Sequence, residues 1–256
     1  MSVALVTGGG RGIGRTIARE LTTAGWQVVV TGRTRASLDA AVAAGDAALG
    51  VPGDATDSQA VAAAVAAAQA LGPLDLVVAN AGLFAAAGPI WEVDPDQWWR
   101  DVEVNLRGPA LILHHALGDM VARGQGRVVV IGSGIALEPE PWASAYAASK
   151  AAVMRLVDSV AGELQGTGVS VFTISPGLVA TDMSDFPEPY LLRNPDLRGL
   201  ALVEGRPPEQ CAALVLALAT GRYDGLSGGF LHVRDPLEEA LGSATEGAGT
   251  LRLVPW

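Results

Sequence analysis

The stretch VALVTGGGRGIG, residues 3–14, decides how the chain is read. Residues 3–7 are an aliphatic run of strand length, glycines crowd residues 8–14, and residues 12–24 read as a helix. A glycine-rich loop between a strand and a helix lets the backbone turn tightly and approach a pyrophosphate, whose charge the helix-terminal amides stabilise. With 32 glycines in the chain, a glycine cluster alone says little. Its place between the first strand and the first helix makes it specific.

Working outward, QVVVT (27–31), AALGV (47–51), LDLVVA (74–79), GRVVVI (126–131), VSVFTI (169–174) and FLHV (230–233) join VALVT as seven strands. Residues 34–44, 56–70, 95–122, 143–165 and 207–219 read as the remaining helices. Ala-rich helices alternating with Val/Ile/Leu runs predict a parallel sheet covered by helices on both faces. Right-handed crossovers make this an α/β, doubly wound (Rossmann) fold. Asp94-Pro95 offers a cap and a first-turn proline, and Gly124 and Gly126 punctuate the exit of that helix.

Residues 1–234 are expected to form one domain. Within it the Pro-rich segment 182–208 stands outside the alternation and is expected to be a substrate lid, with Phe186, Tyr190, Leu191 and Leu192 as an apolar wall. Residues 235–256 make a C-terminal extension, expected to be flexible, whose last residues LRLVPW are apolar enough to dock on a neighbouring subunit.

A chain of 256 residues buries roughly 70–75% of its unfolded surface and needs no disulfide or metal to hold a core. The single cysteine, Cys211 in CAALVLALA, is expected to be a buried small residue. A net charge of −10 and a pI near 4.7 disfavour nucleic acid and anionic membrane. No run reaches the roughly 18 apolar residues that span a bilayer, and the N-terminus lacks an export signal, so a cytoplasmic protein is expected. Three His and one Cys show no metal-ligand spacing. His114 and His115 are expected at a surface or subunit contact, and His232 packed in the last strand. Trp91, Trp98 and Trp99 are expected to pack the fourth helix, with Trp142 walling a pocket.

Chemistry concentrates in the second half. Tyr146 and Lys150, four residues apart on one helix, share a face. A free phenol titrates near ~10, and a neighbouring ammonium is expected to lower that value. Ser133, at the carboxyl end of the fifth strand, is placed to donate to an oxygen on which charge develops. Pro109 lacks the N–H that would bond the carbonyl of Asn105, which predicts a kink there and a carbonyl able to hold a water. At the end of the second strand Gly32 stands where an acidic residue would bond a free ribose 2′-hydroxyl; Arg33 follows and Arg11 lies in the glycine loop. Guanidiniums without a carboxylate suit a 2′-phosphate. The bland reading of Arg33 and Arg35 is solvation of a helix start.

Together, T-G-x-x-x-G-x-G at Thr7–Gly14, Asn80-Ala81-Gly82, Ser133 and Tyr146-x-x-x-Lys150 resemble the short-chain dehydrogenase/reductase family, from residue 3 to about 233. The resemblance implies Asn105, Ser133, Tyr146 and Lys150 as catalytic residues. It implies a cofactor site of Gly8, Arg11, Gly12, Ile13, Gly14, Arg33, Asp54, Ala55, Asn80, Ala81, Gly82, Tyr146, Lys150, Pro176, Gly177, Val179 and Thr181. Asp54 has a second reading, as the cap of the helix beginning near Thr56. The expected function is an NADP(H)-dependent carbonyl reductase or alcohol dehydrogenase acting on a small ketone or secondary alcohol, as a homo-oligomer (tetramer or dimer). The alternatives are a catalytically silent nucleotide-sensing regulator and an NAD-linked dehydrogenase.

Overall fold

The aliphatic run Val3–Thr7 forms β1 with all five residues buried, which only a central strand covered on both faces allows. In the computed structural model, which describes residues 1–179, 186–197 and 205–245, β1 lies mid-sheet. The other strands are β2 (Gln27–Gly32), β3 (Leu49–Pro52), β4 (Leu74–Ala79), β5 (Gly126–Ile131), β6 (Val169–Ser175) and β7 (Phe230–His232). They make one parallel sheet in the order β3-β2-β1-β4-β5-β6-β7. The order reverses between β1 and β4, and a doubly wound sheet binds ligands outside the strand ends at such a point.

Alternation along the strands divides the core. Ala4 and Val6 of β1 face α1 (Gly12–Thr23), α2 (Arg35–Ala43) and α8 (Pro208–Ala219), in a cluster with Ile17, Leu38 and Val215. Val3 and Leu5 face α3 (Ser58–Gln69), α5 (Gly108–Arg123) and α6 (Ser144–Glu163), with Val65, Ile112 and Val157. Cys211 is buried, and burial pushes its thiol up to about 12. This is the inert thiol expected.

Helix boundaries follow their caps. Asp94 accepts from the amide of Asp96 with Pro95 at the first turn of α4 (Pro95–Val102), and Gly124 closes α5 in the left-handed region at φ 70°. The helix expected over 95–122 is interrupted by a π segment, Glu103–Arg107, just before Pro109. The missing proline amide is absorbed there as a π bulge, the physical form of the expected kink.

Asp54 does not cap α3. Asp57 does, accepting from the amides of Gln59 and Ala60, and the helix begins at Ser58. Trp91 and Trp99 do not pack the fourth helix: they are 81% and 60% exposed. Trp98 is partly buried and donates its indole N–H to Ser144. His115 meets Ser58 at 2.9 Å while His114 is exposed. Beyond β7, Leu237–Thr245 forms α9, whose Leu237, Ala240 and Leu241 pack on the core, so this part of the extension is ordered helix rather than loose end. The segment LRLVPW and Thr181 lie outside the described residues. No described helix is long and apolar enough to cross a membrane, and no cluster of three metal-ligating side chains occurs among the described residues.

Candidate active site

The glycine loop turns because Gly8 and Gly12 adopt φ of +64° and +53°, a region side-chain-bearing residues rarely enter. At Gly14 a Cβ would lie 2.4 Å from the carbonyl oxygen of Gly8, so α1 can press against the loop only with glycine there. The loop is tied across the switch point by Thr7 and Asn80. The Thr7 hydroxyl accepts from the amides of Asn80 and Ala81, and the Asn80 amide donates to the carbonyls of Thr7 and Gly8. The amide nitrogen of Asn80 is therefore used on loop geometry. Helix α1 begins with no side-chain cap, leaving its first amides for an anion in the groove.

That groove is lined by Gly8, Arg11, Gly12, Ile13, Gly14, Arg33, Asp54, Ala55, Asn80, Ala81 and Gly82, eleven residues expected from sequence to hold the cofactor. Gly32, Thr34 and Ser37 also line it beside Arg33. Neither Thr34 nor Ser37 was singled out from sequence; a hydroxyl just past the second strand is the signal that was there to read. Arg35 turns away to pair with Asp39 at 3.0 Å, as the helix-start reading has it. Among the described residues Arg33 has no ion-pair partner. Asp54 hydrogen-bonds Thr56 and pairs with Arg100. Burial pushes its carboxyl up, but Thr56 and Arg100 outweigh burial and hold it below the usual carboxylate range. The role of Arg100, one helix away, had no local signal in the sequence.

Beside the groove stand the four candidate catalytic residues. Lys150 is 4% exposed and donates from Nζ to the carbonyl of Ile131 at 2.8 Å, with Nζ 5.6 Å from the centre of the Tyr146 ring. Ser133 follows β5, and its hydroxyl accepts from the amide of Ile135. Asn105 sits in the π segment, where its amide bonds the backbone N–H and C=O of Leu83 and the hydroxyl of Ser149. The expectation that Lys150 lowers the phenol is not met. Burial pushes Tyr146 up to about 12, the nearby Ser133 hydroxyl opposes this, and the charge of Asp101 adds to it. Burial also pushes Lys150 down to about 8. At neutral pH the site thus holds a neutral phenol with an ammonium behind it, a proton donor rather than a resting base.

Pro176, Gly177 and Val179 follow β6, and Val179 makes an isolated bridge to Arg206. Gly177 has φ +71°, and a Cβ there would meet the Arg206 side chain at 3.1 Å. Trp142 is the one described non-glycine residue at positive φ, and Arg193 stacks on its ring at 6.0 Å. Arg193 belongs to α7 (Glu188–Arg193), within the described part of the segment expected to be a lid. Phe186 and Tyr190 turn inward there, whereas Leu192 is 67% exposed and is no part of a wall.

Residues 2–188 match the family model of short chain dehydrogenases. The chain belongs to that family. This short-chain dehydrogenase is 38% identical over 187 residues to a short chain dehydrogenase of Pseudocercospora fijiensis, covering 70% of this chain but only 60% of that protein. It is 38% identical over 185 residues to cis-4-hydroxycyclohexanecarboxylate dehydrogenase of Sinomonas cyclohexanicum, covering 71% and 74% of the two chains. With 2-dehydro-3-deoxy-L-rhamnonate dehydrogenase (NAD(+)) of a Sphingomonas species it shares 35% identity over 183 residues, 71% and 74% of the chains. A Phe-to-Trp variant of actinorhodin polyketide ketoreductase, solved with NADPH, superposes with a TM-score of 0.82 at 30% identity over 91% of this chain and 95% of that one. The family is one of oxidoreductases that bind a nicotinamide cofactor, and the glycine loop, the uncapped α1 and the switch-point groove fit such a cofactor.

Proposed function

We propose that this short-chain dehydrogenase is an NADP(H)-dependent carbonyl reductase, reversibly an alcohol dehydrogenase, with Asn105, Ser133, Tyr146 and Lys150 as its catalytic residues. The observation that carries the reading is the buried Lys150, tied to the Ile131 carbonyl with Nζ 5.6 Å from the centre of the Tyr146 ring. When bound, the nicotinamide supplies the hydride for a carbonyl carbon. Tyr146 gives its proton to the carbonyl oxygen as the alcohol forms, and Ser133 donates to the same oxygen while its charge develops. Lys150 holds positive charge beside the phenolate that results and draws a proton back toward it. Asn105 holds Leu83 in place with its side chain, and its carbonyl, facing the missing N–H of Pro109, holds a water in the return path.

Preference for NADP(H) is supported by Gly32, which supplies no carboxylate, beside Arg11 and Arg33 lining the same groove. The NAD(+)-linked relative favours a second reading in which NAD(H) serves. Cofactor contacts fall to the eleven groove residues with Tyr146, Lys150, Pro176, Gly177, Val179 and Thr181. The exposed Ile90, Trp91 and Trp99 support a homo-oligomer, tetramer or dimer, which light scattering on the purified protein resolves. The decisive assay follows the NADPH absorbance band with a ketone present. Tyr146→Phe keeps NADPH affinity and loses about 10²–10⁴ in turnover; near-normal turnover in that variant sinks the assignment.

A further inference from the structure

Three aromatic rings cover the candidate catalytic tyrosine. Phe84 stacks on Tyr146 with ring centres 4.8 Å apart and planes 19° from parallel. Phe84 also meets Tyr190 edge-on at 5.2 Å and Phe186 at 6.1 Å, and the last two meet each other at 5.5 Å. Tyr190 is buried and meets its aromatic neighbours through its ring.

Phe84 is held by a clamp from one helix. Asp101, 0% exposed at the end of α4, accepts from the amides of Ala85 and Ala86 through both carboxylate oxygens. Asn105, four residues on, takes the N–H and C=O of Leu83. The backbone is thus pinned on both sides of Phe84, and its ring is fixed against the phenol. A hydroxyl-rich ligand laid on these rings gives up water hydrogen bonds and receives none from them, whereas an apolar ring gains stacking and buried area.

We propose that Phe84, Phe186 and Tyr190 form the substrate wall and select ring-bearing apolar carbonyl compounds, aryl or cycloalkyl ketones and the matching secondary alcohols, over polyols and ketoses. Asp101 is the positioning residue of that wall. The inference rests on the carbonyl-reductase reading and names the substrate class of the same site.

The test compares kcat/KM of the full-length protein with NADPH for acetophenone, 4-methylcyclohexanone, 2-butanone and D-fructose. Calorimetric titration of the NADPH-loaded protein with acetophenone runs alongside. The wall reading expects either ring ketone to exceed D-fructose by at least a hundredfold. It also expects Phe84→Ala to lower the ring-ketone to 2-butanone ratio at least tenfold and to weaken acetophenone binding by a similar factor. Phe84→Leu, which keeps an apolar side chain, falls between the two. A ratio and an affinity unchanged in both variants, or D-fructose turned over as well as the ring ketones, overturns the wall. Absence of turnover with every carbonyl overturns the reductase reading instead, and acetophenone binding that depends on Phe84 still upholds the wall.

Discussion

Replacing Lys150 by Met changes how stability depends on pH, and the change can be worked out from the structure. The ammonium is buried, its one hydrogen bond goes to the Ile131 carbonyl, and burial moves its pKa from 10.5 to about 8. Between these values the unfolded chain binds a proton that the folded chain does not, so stability rises with pH across about 8 to 10.5. At 1.36 kcal/mol per pKa unit, the folded protein carries a penalty of about 3 kcal/mol below pH 8, relieved toward pH 10.5. Lys150→Met removes that penalty. It also leaves the Ile131 carbonyl unpaired, a constant cost of about 1–3 kcal/mol. The Tyr146 phenol, pushed up to about 12, stays protonated across the window in both proteins. The wild type should therefore gain on the variant by an amount approaching 3 kcal/mol as urea denaturation is repeated from pH 7 to pH 10. Curves that run parallel over that range would show that the ammonium is not desolvated, and the account of Lys150 would fail.

Cofactor preference gives a second test. A Cβ at Gly32 finds its nearest neighbour, Leu38, at 3.7 Å, so Gly32→Asp fits without rearrangement. Combined with Arg33→Ala it should move the NADP(H) to NAD(H) ratio of kcat/KM at least tenfold toward NAD(H), since a charge-assisted bond is worth about 1.5–3 kcal/mol; an unchanged ratio places selectivity elsewhere. Thr7→Val keeps shape and β propensity but removes the acceptor of the Asn80 and Ala81 amides. It should cost about 2 kcal/mol by denaturant midpoint and weaken NADPH binding, and a loss under 0.5 kcal/mol refutes the tie. Asp101→Asn removes the charge that helps hold the phenol up. The alkaline limb of ketone reduction, where Tyr146 loses its proton, should move to lower pH; an unmoved or rising limb contradicts the coupling.

Local chemistry made much of the fold legible. Strand-length aliphatic runs and the Gly8–Gly14 spacing predict β1, its loop and α1, and Pro109 predicts the break that the π segment supplies. The i, i+4 spacing places Tyr146 and Lys150 on one face. What stayed hidden depends on partners distant in sequence. Nothing near Asp54 tells that Arg100 captures it, and nothing near Phe84 tells that Asp101 and Asn105 pin its neighbours. Trp91 and Trp99 were misplaced because apolar character alone does not show that Trp91 lies in the turn before α4 or that Trp99 lies on the side of α4 the core leaves uncovered. The expected effect of Lys150 on Tyr146 failed for a similar reason, since adjacency is visible in a sequence and burial is not.

Burial acts in one direction on every ionisable group around the phenol. It pushes Tyr146 up, Asp101 up and Lys150 down, each toward its neutral form, and among the described residues neither Asp101 nor Lys150 forms an ion pair. A sequence selected only for stability would replace such groups or pair them, because an uncompensated buried charge costs several kcal/mol. Here the carboxylate is satisfied by two amides and the ammonium by one carbonyl, hydrogen bonds that orient each group without neutralising it. Groups held charged or poised near neutrality at the open end of a sheet are where folding stability is given up for chemistry. The same bonds pin the backbone at Leu83, Ala85 and Ala86 and set Phe84 on the phenol. The proton chemistry and the shape of the substrate wall thus share one set of buried polar contacts. A substitution at Asp101 should therefore change the pH limb and the ring-ketone preference together, whereas Phe84→Leu should change the preference alone.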